Sequence, residues 1–301
     1  MDQQTNYIAF LCYGDKGVFY ECAYALLSLS RLYPSGPPNT EIWIYTDDAA
    51  WFRSFKDCKL PIHYREIDKT TIQQWRGEIN FVHRIKIELL KDLTKEKAGN
   101  ILYVDTDVVF THNIDSILDG INDGLLYMHT MEGIISNRGN PIFRKLNDHL
   151  KKDTANKVNG KPLQDLAMWN AGVLGFNTRH KHLLDEVLAF TDSEYPKLPK
   201  HVIEQFAFSV YFQREDNVKA AAPYIFHYWK LKEAREMLAS FFDYFKGKTW
   251  EELTRYSSFI QMPALMQEKV NYLHGRSISA HLRNKQWHPA KQNWAEMIKQ
   301  L

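Results

Sequence analysis

The sequence predicts an α/β fold with a mostly parallel sheet flanked by helices, and two observations carry that prediction. Apolar runs of strand length alternate with helix-patterned runs over the first 110 residues. Each apolar run also ends in a polar break, as strands of a parallel sheet do where they emerge at its ligand-binding edge. Tyr7-Ile8-Ala9-Phe10-Leu11-Cys12 reads as a buried strand that breaks at Gly14-Asp15-Lys16-Gly17. A helix follows from Val18 to Tyr33 and is stopped by Pro34. The second strand, Glu41–Tyr45, ends in Thr46-Asp47-Asp48, where either acid can cap a helix running through Trp51 and Phe55. Ile79, Val82, Ile85, Leu89 and Leu93 recur at three- and four-residue steps and predict an amphipathic helix. The strand Ile101–Val104 then leads into Asp105-Thr106-Asp107 and a second apolar run, Val108-Val109-Phe110.

Beyond residue 130 the pattern loosens. Residues 130–165 are polar and rich in Asn and Lys, which predicts an excursion or lid rather than core. Order returns at Trp169–Asn177, a tight turn feeding a short strand. Helical patterns follow near 180–191 and 202–213, and then the apolar stretch Tyr224–Trp229.

Composition narrows the function. The 301 residues are 45% apolar and 25% charged, enough to bury a large core. With 38 Lys and Arg against 36 Asp and Glu, the net charge of +2 excludes a generally basic nucleic-acid binder. The three cysteines, Cys12, Cys22 and Cys58, form no Cys-x-x-Cys pair and suit a reducing compartment. No apolar run reaches the roughly 18 residues a membrane span requires, and the first residues lack a signal-peptide pattern. A cytoplasmic setting is therefore expected.

The chemistry concentrates at Asp105 and Asp107. Residues two apart in extended backbone point to the same side. Paired carboxylates so placed need a cation or a shared proton between them, and hard oxygen ligands suit Mg²⁺ or Mn²⁺. Two acids at a strand end also occur as solvated loop residues, but here apolar runs bracket them on both sides.

The segment ILYVDTDVVF resembles the Asp-x-Asp segment of nucleotide-sugar-dependent glycosyltransferases of the GT-A fold, in particular glycosyltransferase family 8. Five further segments resemble that family in the same order: FLCYGDKGVFYECAYALLSL, IWIYTDD, FVHRIKIELL, WNAGVLGFN and FHYWKLK. Together they cover roughly residues 7–232. The resemblance implies a GT-A catalytic domain over residues 1–240 and a helical carboxyl-terminal extension over 241–301. It implies transfer of a hexose from a nucleotide diphosphate, UDP foremost, to an unidentified glycan, lipid or protein acceptor, with retention at the anomeric carbon. Asp105, Asp107 and His227 would hold Mn²⁺ or Mg²⁺. Lys232 and Arg84 would add positive charge at the diphosphate, with Thr106 beside it. Asn170, Ala171 and Gly172 would line the donor sugar, and Tyr13 and Asp15 would meet the base.

One segment departs from the family. Where an Asp-Gln-Asp-like run is usual, this chain has Glu204-Gln205-Phe206, so Glu204 and Gln205 are the candidates beside the reacting carbon. Taken alone, His227 reads as a packing residue among Phe226, Tyr228 and Trp229, and Arg84 as one charge on an ion-paired helix face. Two other functions fit parts of the sequence. Asp105-Thr106-Asp107-Val108 also matches the nucleophile strand of haloacid-dehalogenase-like phosphatases, although no matching acidic pair follows it. A non-catalytic sugar-nucleotide-binding protein would also keep most of these motifs.

The +2 charge is uneven. Residues 276–301 carry Arg276, Arg283, Lys285, Lys291 and Lys299 against Glu296, a net of +4 that leaves −2 for the rest. Trp294, Met297, Ile298 and Leu301 share one helix face. That pattern suits peripheral contact with an anionic membrane, or a terminal helix docked on the domain.

Overall fold

The computed structural model describes residues 4–152, 157–274 and 287–299. The amino-terminal half alternates as expected: β1 (Asn6–Cys12), α1 (Lys16–Leu32), β2 (Thr40–Thr46), α2 (Ala49–Arg53), β3 (Ile62–Glu66), α3 (Lys69–Arg76), α4 (Arg84–Glu96) and β4 (Asn100–Val104). Then come β5 (Val108–Phe110), α5 (Asp115–Asn122), β6 (Leu126–Met128), β7 (Met131–Ile134), α6 (Pro141–Leu150), and the short pair β8 (Lys157–Val158) and β9 (Lys161–Pro162). The chain continues through β10 (Ala167–Trp169), β11 (Val173–Asn177), α7 (Leu183–Glu194), α8 (Val202–Arg214), β12 (Val218–Ala220) and β13 (Ile225–His227). It closes with α9 (Ala234–Tyr244), α10 (Trp250–Tyr256), α11 (Met262–Leu273) and α12 (Trp294–Ile298).

Seven strands form one sheet in the order β12-β6-β11-β4-β1-β2-β3. β3, β2, β1 and β4 run parallel, β12 runs parallel to β6, and β11 is antiparallel to both β4 and β6. The fold is thus α/β with a mostly parallel sheet and helices on its faces, as the alternation predicts. One apolar core lies between the sheet and α1, α9 and α10, and a second between the sheet and α4, α7 and α8.

Local chemistry explains the element boundaries. Asp15 caps α1 by accepting from the Gly17 amide at 2.8 Å, and Asp48 caps α2 through the Trp51 amide at 3.0 Å. Asp47 does something else: both its carboxylate oxygens accept from the Gly14 amide, at 3.2 Å, tying the end of β2 to the turn after β1. Helix α4 begins at Arg84 rather than near Ile79. Gly77 and Asn80 adopt φ of +65° and +47°, a left-handed backbone that cannot continue into a helix.

One expectation needs correction. The polar stretch 130–165 is not a bare excursion. It folds as β7, α6, β8 and β9, and Ile135, Phe143, Leu146, Leu150 and Leu163 pack with Val202, Ile203 and Phe206 of α8 in a third core. Its Asn and Lys residues sit outside a sparse apolar set, which masks the core in a composition reading. Of the two readings of the tail, the described helix α12 takes the docked one. Trp294 is 4% exposed, its ring lies 5.5 Å from Phe241 and 6.0 Å from Phe245, and its indole donates to Ser240 at 3.1 Å. Met297 and Ile298 pack on the same core. Arg276, Arg283, Lys285 and Leu301 lie outside the described residues. No helix among the described residues is long and apolar enough to cross a membrane.

This docking gives a stability prediction. Trp294→Ala removes a buried indole and one hydrogen bond, and is expected to cost about 3 kcal/mol, read as a lowered denaturant midpoint. A midpoint within about 0.5 kcal/mol of wild type would mean that α12 does not hold this position in solution.

Candidate functional site

A cavity of about 670 Å³ opens at the carboxyl edge of the sheet, where β1 and β4 end. Tyr13, Asp15, Asp105, Thr106, Asp107, Asn170, Ala171, Gly172, Glu204, Gln205, His227 and Lys232 all line it. Residues read from five separate stretches of sequence therefore converge on one space. Arg84 does not line it.

The centre is the cluster Asp105, Asp107 and His227, each offering one ligand atom within 4.8 Å of the others. β4 delivers Asp105, whose amide donates to the Gly172 carbonyl at 2.8 Å. β13 pairs antiparallel with β5 and sets His227 opposite Val108, beside Asp107. Nε2 of His227 lies 3.0 Å from Asp107 and 3.8 Å from Asp105. Its Nδ1 faces Asn170 Oδ1 at 3.0 Å, and that oxygen also accepts from the Gly172 amide at 2.9 Å. Asn170 presents its carbonyl end here because its Nδ2 donates to Glu132 at 3.1 Å. Nδ1 of His227 therefore carries hydrogen toward Asn170, and Nε2 is turned to the carboxylates. Two carboxylates and an imidazole nitrogen so aimed fit a divalent cation.

Electrostatics reinforce the arrangement. Burial alone would raise the pKa of Asp107, but the neighbouring His227 imidazole and Lys232 ammonium outweigh it and hold the carboxyl well below its ordinary range. Lys232 reaches Asp107 Oδ2 at 2.6 Å. Tyr103 donates to Asp105 at 2.7 Å from within the sheet.

The residue that the sequence reading missed is Lys86. Its ammonium is buried, donates to the Ala171 carbonyl at 2.9 Å, and lies 3.4 Å from Asp105 and 3.3 Å from Glu204. Burial works against its charge, and the two carboxylates more than restore it, so its pKa is raised. Lys86 shares the apolar face of α4 with Leu89, Leu90 and Leu93. A lysine within such a stripe is the signal that could have marked it. Arg84, two residues earlier and so on another face, is held instead by Asp192 at 2.8 Å, Glu88 at 2.8 Å and the Trp75 carbonyl at 2.8 Å. It braces α4 against α7 and the end of α3.

On α8, Glu204 is 2% exposed, and its Oε1 is the oxygen that meets the Lys86 ammonium. Burial, with Asp105 adding to it and Lys86 opposing, pushes its carboxyl up to about 7. Gln205, one residue on, stands at the rim of the cavity with its Nε2 donating to Glu132 at 3.0 Å. Phe206, where the family resemblance leads to an acid, is buried in the third core.

By sequence, the chain matches no family model and no curated protein. Among solved structures it is similar to apo mouse xyloside xylosyltransferase 1, at 13% identity over 72% of this chain and 85% of that one, with a TM-score of 0.48. It is also similar to galactosyltransferase LgtC in complex with donor and acceptor sugar analogues, at 16% identity over 71% and 73% of the two chains, TM-score 0.46. An active-site mutant of LgtC aligns at 14% identity over 78% of this chain and 95% of the other, TM-score 0.49.

Two predictions arise from the geometry. A Cβ on Gly172 would come within 2.2 Å of the His227 ring, so Gly172→Ala must displace the imidazole. Mn²⁺ affinity measured by calorimetry is expected to fall tenfold or more; unchanged affinity would remove His227 from the cation site. The second concerns pH. Glu204 holds its proton up to about 7, against 4.5 ordinarily. Between those values the folded state binds more protons than the unfolded one, so stability falls as pH rises through that window and levels off above it. Glu204→Gln is expected to flatten this descent in thermal midpoints taken from pH 4.5 to 8.

Proposed function

We propose that this protein is a metal-dependent glycosyltransferase that moves a hexose from a nucleotide diphosphate, UDP foremost, to an acceptor hydroxyl with retention at the anomeric carbon. The observation that carries the reading is the cluster of Asp105, Asp107 and His227, set at the carboxyl edge of the sheet in a cavity large enough for a sugar nucleotide. The sequence motifs from residue 7 to residue 232 support the same class.

The reaction breaks the bond between the anomeric carbon and the diphosphate, with its electrons leaving on phosphate oxygen. A new bond forms to the acceptor oxygen, whose proton is released. Asp105, Asp107 and His227 would hold the cation, which when bound would supply Lewis-acid charge at the diphosphate. The chain's own residues do the rest. Lys232 sets a further positive charge beside Asp107, at the same oxygens. Tyr13 and Asp15, at the end of β1, meet the nucleoside, and Thr106 lies buried beside the two acids. Gly172 lets the backbone approach the sugar, while Asn170 holds His227 and Ala171 holds Lys86. Glu204 and Gln205 face the sugar from α8, the former held 3.3 Å from the Lys86 ammonium.

The test is a thermal-shift screen of nucleotide sugars with Mn²⁺, followed by assay of hydrolysis or transfer. A ligand at about a hundredfold its Kd contributes about 2.7 kcal/mol, which for a chain of this size is a rise of roughly 5 °C or more. Asp105→Asn and Asp107→Asn are expected to lose the Mn²⁺-dependent part of the shift and all turnover. No shift with any nucleotide sugar would overturn the reading, and tight binding without turnover would make the protein a sugar-nucleotide-binding module instead.

A further inference from the structure

Glu132 belongs to no motif, yet it sits where two functional side chains meet. In the β7–β10 ribbon, Met168 pairs with Gly133 and Trp169 with Met131, so Glu132 is the extra residue of a β-bulge and has no partner across the ribbon. Gly133, at φ +131°, follows it in a conformation that suits glycine. The bulge aims the Glu132 side chain into the cavity instead of along the ribbon face. Its two oxygens do different work there. Oε1 accepts from Asn170 Nδ2 at 3.1 Å, and Oε2 accepts from Gln205 Nε2 at 3.0 Å.

A side-chain amide has two faces that a cavity could present, and only its partners decide which. A carboxylate accepts hydrogen bonds and donates none, so it binds an amide by the NH₂ end. Gln205 consequently turns its NH₂ to Glu132 and keeps its carbonyl oxygen for the cavity. The same carboxylate turns the NH₂ of Asn170 away from His227 and so leaves the Asn170 carbonyl for the imidazole. Resting on the glycosyltransferase reading for its chemistry, we propose that Glu132 is a positioning residue. It orients the Gln205 amide so that its carbonyl oxygen, the electron-rich end, faces the reacting carbon.

The test has a structural arm and a kinetic arm. In the resting protein, the side-chain NH₂ resonance of Gln205 is expected downfield with slowed solvent exchange, and Glu132→Ala should shift it upfield and abolish the protection. Glu132→Gln, which removes the charge but keeps one carbonyl, should give an intermediate shift and also serves if the alanine variant does not fold. Kinetically, Glu132→Ala should lower kcat tenfold or more while donor KM and Mn²⁺–nucleotide affinity stay within threefold, because the Gly172 amide still holds the Asn170 carbonyl toward His227. Glu132→Gln should recover most of that loss. In a Gln205→Ala background, Glu132→Ala should add nothing further. An unmoved Gln205 resonance, an unchanged kcat, or additive losses in the double variant would each overturn the proposal. If the wild-type protein binds no nucleotide sugar, the functional reading fails by itself, and the resting-state resonance still decides the role of Glu132.

Discussion

The constraint on which this site depends is charge balance at the carboxyl end of β4. Asp105, Asp107 and Glu204 bring three carboxyl groups to one cavity, two of them buried. Buried charge of one sign is too costly to stand uncompensated. Lys86 answers Asp105 and Glu204 from α4, and Lys232 answers Asp107 from the loop after β13. Glu204 meets its share of the cost by holding its proton up to about 7. The elements of the fold can be read as the means of delivering these groups. α4 carries Lys86 under the sheet, β5 and β13 pair to bring His227 beside Asp107, and the reversed strand β11 places the Asn170–Gly172 turn against β4.

The same balance explains why the turn at Asn170–Gly172 is so constrained. Ala171 gives its carbonyl to Lys86, Gly172 gives its carbonyl to the Asp105 amide, and Asn170 fixes the tautomer of His227. Three consecutive residues thus serve the compensating cation, the acidic strand and the imidazole. A side chain at Gly172 would strike the ring. The turn is therefore less a lining for a sugar than the piece that holds the metal-binding groups in register, and binding and positioning are the same interactions.

How much of this could be read from the sequence depends on how local each determinant is. The strands β1, β2 and β4 and the helix α1 are written in contiguous apolar runs with adjacent capping acids, so they are legible. The paired acids of the Asp-x-Asp segment are legible for the same reason: two residues on one strand share a face. Lys86 was hidden by its neighbour, because Arg84 carries the same charge and only the turn of the helix distinguishes the cavity from the α7 side. Glu132 is illegible in principle, since its aim is set by a register shift against a strand about 35 residues away. The third core escaped because eight or so apolar residues are spread over a polar stretch, and they acquire a partner only when α8 packs on them.

Phe206 belongs to that last case and bears on the chemistry. Consecutive residues on α8 turn by about 100°, so Glu204 reaches the buried end of the cavity, Gln205 its rim, and Phe206 the core shared with α6. An acid at Phe206, which is fully buried in one apolar cluster with Phe143, Leu146 and Met168, would be a carboxylate in apolar surroundings. Packing of the 130–165 segment thus accounts for an apolar residue at this position. It leaves Glu204 and Gln205 as the polar residues of α8 that line the cavity, with Gln205 meeting the bulged Glu132 of the facing ribbon at 3.0 Å.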